Sequence, residues 1–140
     1  MVYRPIWPAV DHFKKPTMNK KVHLSALDIE RIHQAAGMLA AKLTHPWTIP
    51  NIAEAVKLTE KKVKAGFKQE FGIGPHTYLR NLRIEKAKEL FILGKPTQAI
   101  LWATGFKSES GLSKTFKKVV KVTPTEFRNN PRLWNRDPAK

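Results

Sequence analysis

From Ser25 onward, Ile29, Ile32, Ala36, Leu39, Ala40 and Leu43 recur three or four positions apart, leaving Glu30, Arg31, Gln34 and Lys42 on the other side. Ser25 with Asp28 three residues on is a capping-box start, and Thr44-His45-Pro46 is a stop, so a first helix is predicted between them. His33 borders the apolar stripe and reads as a packed or half-exposed histidine, not a ligand. Thr48 opens a second helix with Pro50 in its first turn, where the missing N–H costs nothing, and with Ile49, Ile52, Ala53 and Val56 on its buried side. After the turn Lys57-Leu58, Thr59 caps a third helix that extends through Phe71. Val63 and Phe67 face inward there, and Lys61, Lys62, Lys64 and Lys68 are left outside. Gly72-Ile73-Gly74-Pro75 separates it from a longer helix, roughly 76–93 and on the order of 27 Å long. Tyr78, Leu79, Leu82, Ala87, Leu90 and Phe91 are its inward positions.

The stretch Thr97 to Arg128 repeats this plan. A shift of 49 positions lays Thr59 on Ser108, Val63 on Leu112, Phe67 on Phe116, Lys68 on Lys117, Ile73 on Val122, Pro75 on Pro124 and Tyr78 on Phe127. Apolar residues fall on apolar ones and turn residues on turn residues, which makes the chain an internal duplication of a helix-turn-helix unit. In the second copy Gly105-Phe106 forms the turn, and Thr123-Pro124-Thr125-Glu126 is a capping box opening a last short helix that carries Phe127. The predicted fold class is all-α: two helix-turn-helix units joined by a connecting helix, a homeodomain-like tandem. Gly66 and Gly111 lie inside the two basic helices at about 1 kcal/mol each relative to alanine, and are expected to permit close packing. The expected layout is an extended arm or linker remnant over 1–22, broken by Pro5, Pro8 and Pro16; a first unit with the connecting helix over 23–93; a second unit over 94–130; and a basic tail over 131–140.

Composition narrows the partner. A net charge of +15 with 41% hydrophobic residues describes a chain that can bury a core and still seek a polyanion, nucleic acid first and an anionic membrane surface second. No run reaches the length of a membrane span, the N-terminus lacks the apolar core of a signal peptide, and cysteine is absent, so an intracellular, cytoplasmic home fits. An enzyme is not expected: the acidic residues are scattered, His12, His23, His33, His45 and His76 have no ligand spacing, and no phosphate loop or cofactor motif occurs. Charge alone fits a small basic RNA-binding or ribosome-associated protein equally well, although the aromatic stacking surfaces expected for single strands are missing.

The two units together resemble the DNA-binding domain of the AraC/XylS family of transcription regulators, from about Ser25 to Arg128. Ala53, Leu58-Thr59, Phe67, Gly72, Tyr78-Leu79, Arg83 and Glu85-Lys86-Ala87 carry the likeness in the first half. Gly105-Phe106, Ser108, Ser110, Phe116-Lys117, Val122, Thr123-Pro124 and Phe127-Arg128 carry it in the second. The chain departs from the pattern at Lys57, where the first turn usually has glycine, and at Leu101, where the second leading helix usually has alanine.

The resemblance implies a two-headed domain that places two recognition helices in successive major grooves of double-stranded DNA and reads both half-sites as a monomer. By alignment with the family, Lys61, Lys64 and Ala65 face bases in the first unit, and Glu109, Ser110, Ser113 and Lys114 in the second. Lysine suits guanine O6/N7, alanine a thymine methyl and glutamate cytosine N4. Glu109 reads equally as a first-turn acid facing the helix macrodipole. Thr59, Lys62 and Lys68 are the phosphate neighbours expected in the first unit, and Lys107, Ser108, Lys117, Lys118 and Lys121 those in the second. Trp102 is expected to pack. RNA polymerase enters as a partner through the resemblance alone. Most members attach a ligand-sensing or dimerising domain, which leaves a standalone regulator or a fragment as the two expectations for this chain.

Overall fold

The computed structural model describes residues 22–130; the arm expected over 1–22, save its last residue Val22, and the basic tail expected over 131–140 lie outside that range. The described residues form seven helices and no strand: α1 (Ala26–Ala41), α2 (Ile49–Val56), α3 (Glu60–Phe71), α4 (Pro75–Ile92), α5 (Thr97–Thr104), α6 (Glu109–Val120) and α7 (Pro124–Asn129). Contacts divide the chain between Leu82 and Arg83, within α4, and each unit has its own core.

The starts of these helices follow from their caps. Ser25 and Asp28 form the expected capping box on α1, Thr48 accepts from the Asn51 N–H with Pro50 in the first turn of α2, and Thr123 with Glu126 boxes α7. Each cap satisfies backbone donors that a helix start leaves without partners.

In the first unit α1, α2 and α3 enclose Ile32, Leu39, Ile52, Val56, Val63 and Phe67, and the first half of α4 adds Tyr78, Leu79 and Leu82. Gly66 is the closest approach: a Cβ there would lie 2.4 Å from two side-chain carbons of Ile32, so α3 can rest on α1 only without one. The second unit is built around Ile100, Leu112, Phe116 and Phe127, with Ile84, Ala87 and Phe91 from the second half of α4. The apolar positions of α4 therefore belong to two cores and form no single stripe, which is why a one-face reading passes over Ile84 although it is fully buried. Arg128 ties down α7 by donating to the Lys95 carbonyl at 3.1 Å, with its guanidinium 5.0 Å from the Phe91 ring centre.

The duplication is geometric. Phe67 meets Tyr78 at 5.3 Å between ring centres and 75° between planes; their counterparts Phe116 and Phe127 meet at 5.4 Å and 68°. The bounds of α6 are those of α3 moved by 49 positions. The leading helices, however, correspond at 48: Ile52 matches Ile100, Val56 matches Thr104, and the left-handed Lys57 matches the left-handed Gly105. One additional residue in the second turn, Lys107 beside its cap, restores the register. Thr104 is fully buried in the place of a valine and satisfies its hydroxyl by donating to the Ile100 carbonyl at 2.7 Å.

Three expectations change. Gly111 does not mediate close packing, since a Cβ there would meet only the Ser108 hydroxyl, at 3.3 Å. Trp102 does not pack: it is 72% exposed, because Ile100 and Thr104 take the inward face of an eight-residue helix and position 102 falls opposite them. Lys62 is not fully outside, as its ammonium lies 2.9 Å from a carboxylate oxygen of the buried Asp28.

Candidate nucleic-acid interface

Each unit presents one basic helix by its outer face. On α3 the inward positions are Val63, Gly66 and Phe67, and at about 100° per residue Lys61, Lys64 and Lys68 fall together on the opposite side, all three exposed. Ala65 is half-buried beside them. On α6 Leu112 and Phe116 point inward, while Ser110, Lys114, Lys117 and Lys118 are exposed and Ser113 is half-buried. The 49-residue shift pairs Lys61 with Ser110, Lys64 with Ser113, Ala65 with Lys114 and Lys68 with Lys117. The first face is thus charged toward its leading turn and the second toward its trailing turns.

The start of each helix is built alike. Thr59 Oγ1 accepts from the Lys62 N–H at 3.1 Å, and Ser108 Oγ accepts from the Gly111 N–H at 3.0 Å. Either hydroxyl retains its own proton to donate outward. Glu60 and Glu109 each occupy the first helical position, where an acid faces the positive end of the helix dipole. Glu60 has no place in the base-facing alignment, although the same shift from Glu109 would have drawn attention to it.

Left-handed residues close the helices and alternate between the copies. The first unit has Lys57 at φ 58° after α2 and Gly72 at φ 80° after α3; the second has Gly105 at φ 87° after α5 and Lys121 at φ 78° after α6. A side chain in this region costs roughly 1–2 kcal/mol that glycine avoids. Lys121 is exposed at the C-terminal end of α6, where a cation also meets the negative end of the dipole.

Lys61, Lys64, Lys68, Lys107, Lys114, Lys117, Lys118 and Lys121 make no ion pair among the described residues, so their charge is available to a partner. Lys86 and Lys88, by contrast, pair with Glu89 and Glu85 along α4. Lys62 pairs with Asp28, and together with the Ser25 backbone N–H it holds the Asp28 carboxyl below the ordinary carboxylate range. A lowered pKa means the pair is intact at neutral pH and is lost only as pH falls through that depressed value. Sequence reading took Asp28 for a cap alone; its partner stands on another helix and left no local signal. His33 is exposed, with a ring nitrogen 2.9 Å from Glu70 and its ring edge-on to Phe71 at 5.3 Å. Among the described residues no cluster of three or more His, Cys, Asp or Glu could hold a metal, and no helix is long and apolar enough to cross a membrane.

A family model described as a helix-turn-helix domain matches residues 52–130, over half of the chain, and a putative AraC-like transcription regulator of Streptomyces antibioticus is 34% identical over 127 residues. The chain belongs to the AraC-type helix-turn-helix family.

That Streptomyces relative is matched over 79% of this chain but 42% of its own length, so the chain spans less than half of such AraC-like proteins. Two solved structures share the architecture. An AraC-type transcriptional regulator from Chromobacterium violaceum superposes with a TM-score of 0.68 at 27% identity, covering 77% of this chain and 97% of that one. The C-terminal domain of AraT, a response regulator from Geobacillus stearothermophilus, gives 0.68 at 25% identity, covering 78% and 88%. AraC-type domains bind DNA, which identifies the polyanion that the charge called for, and the family is one of transcription regulators, not of enzymes.

Proposed function

We propose that this AraC-type chain acts in the cytoplasm as the DNA-binding head of a transcription regulator, with α3 and α6 entering successive major grooves about one helical turn, or roughly 34 Å, apart. The observation that carries the reading is the pair of aromatic-anchored helices, each turning an unpaired, lysine-bearing face outward. A single polypeptide then engages both half-sites as a monomer. On α3, Lys61 and Lys64 donate to guanine O6/N7 and Ala65 lies against a thymine methyl; on α6, Lys114 takes guanine, Glu109 accepts from cytosine N4, and Ser110 and Ser113 tolerate several bases. Thr59 and Lys68 in the first unit, and Lys107, Ser108, Lys117, Lys118 and Lys121 in the second, hold phosphates. Lys62, the remaining phosphate candidate, is held by Asp28. The exposed Trp102 offers a protein contact, and RNA polymerase is the partner the family implies.

Base contacts choose and phosphate contacts hold. Lys64→Ala should therefore weaken the preferred duplex about tenfold while leaving random duplex nearly unchanged, whereas Lys117→Ala should weaken both alike. Titrating each variant against both DNAs at one salt concentration checks this. Equal losses for Lys64→Ala on the two DNAs would remove its base-reading role.

A further inference from the structure

The first turn of α3 carries one lysine whose charge is already spoken for. Lys62 stands about 100° around the helix from Lys61, on the border of the exposed face, with its side chain 37% exposed. Its ammonium is 2.9 Å from Asp28 Oδ2, and the Asp28 side chain is only 10% exposed. Asp28 is itself fixed. The Ser25 backbone N–H donates to the same Oδ2 at 3.0 Å, and the Asp28 N–H donates to Ser25 Oγ at 3.1 Å, so the carboxylate is built into the start of α1 and cannot follow a departing lysine. A pair with one shielded partner and fixed geometry is screened far less by salt than a surface pair. Position 111, the counterpart of Lys62 in the second unit, is glycine, so neither helix presents a free cation there.

We propose that Asp28 is a positioning residue for DNA binding: it anchors Lys62 against α1 and withholds that charge from the phosphate backbone, so that α3 meets DNA through Lys61, Lys64 and Lys68. A free ammonium at the edge of a recognition helix adds affinity for any sequence, because a phosphate contact carries no base information. Neutralising it within the protein lowers binding to every sequence by the same factor, without touching the base-reading face. The pair thus sets how strongly and how salt-dependently the domain holds DNA in general, and leaves the choice of site to the base-facing residues. This inference rests on the DNA-binding reading given above.

The test is Asp28→Asn, which keeps the size of the side chain and an oxygen for the Ser25 N–H while removing the charge. Binding to a random duplex is measured from about 50 to 200 mM salt. Released Lys62 should add one phosphate contact: the slope of log affinity against log salt steepens by about 0.9, an extra fall of roughly 3.5-fold across that range, with tighter binding at the low end. Adding Lys62→Gln to Asp28→Asn should return the slope to that of the unaltered protein. Lys62→Gln alone, with Asp28 in place, should leave the slope unchanged; this variant decides the matter even if Asp28→Asn fails to fold. A slope shallower by about 0.9 for Lys62→Gln alone would place Lys62 on phosphate already and overturn the proposal, as would an unchanged slope for a folded Asp28→Asn. If the unaltered protein binds no duplex at all, the DNA-binding reading itself falls, and this inference with it.

Discussion

Raising salt from about 50 to 200 mM should cost this domain 10³–10⁵-fold in affinity for duplex DNA. The expectation follows from the exposed cations. Lys61, Lys64 and Lys68 on α3 and Lys107, Lys114, Lys117, Lys118 and Lys121 in the second unit carry charge that no acidic side chain among the described residues neutralises. If most of these eight meet phosphates or lie within reach of them, about 6–8 condensed counterions are released on binding, and log affinity falls linearly with log salt. Titrations at four salt concentrations would give the slope directly. A slope below about two would mean that these faces do not lie on DNA, and that the net charge of +15 acts only as a diffuse field.

Gly66→Ala should destabilise the first unit by about 2 kcal/mol, against the helix preference that favours alanine by about 1 kcal/mol. The reason is the 2.4 Å that an added Cβ would leave to Cδ1 and Cγ1 of Ile32. Ile32 is fully buried, so it has no free space into which to swing, and α1 must move away from α3. Gly37→Ala is the control. It sits in the interior of α1 with nothing within 4 Å of an added Cβ, so the same change there should stabilise. Thermal unfolding followed by circular dichroism should show a lower Tm for the first variant and a higher one for the second. A raised Tm for Gly66→Ala would show that Ile32 gives way and that the glycine serves no packing role.

Much of this molecule was legible because its signals are local. Caps at Ser25, Thr48, Thr59 and Thr123 start helices by satisfying nearby backbone donors, and the structure has those hydrogen bonds. The pairing of Phe67 with Phe116 and of Tyr78 with Phe127 was legible because a duplicated fold must repeat its anchors. What stayed hidden depends on residues distant in sequence. Ile84 belongs to a core different from that of Tyr78, so a single apolar face drawn along α4 misses it. The tie between Lys62 and Asp28 joins two helices, and nothing within either segment announces it. Trp102 was expected to pack from its family-aligned position, whereas helical phase places it opposite Ile100 and Thr104. The lysine faces of α3 and α6 were readable as exposed; which bases they meet depends on a bound duplex.

If the proposed function holds, α3 and α6 of one chain read two blocks of sequence along one side of DNA. Selection of bound sites from a pool of random duplexes would show both blocks. Two preferred blocks centred about 10–10.5 base pairs apart, with guanine enriched in the block lost on Lys64→Ala, are the predicted result. A single block, or two blocks whose spacing drifts freely from one selected site to the next, would contradict it.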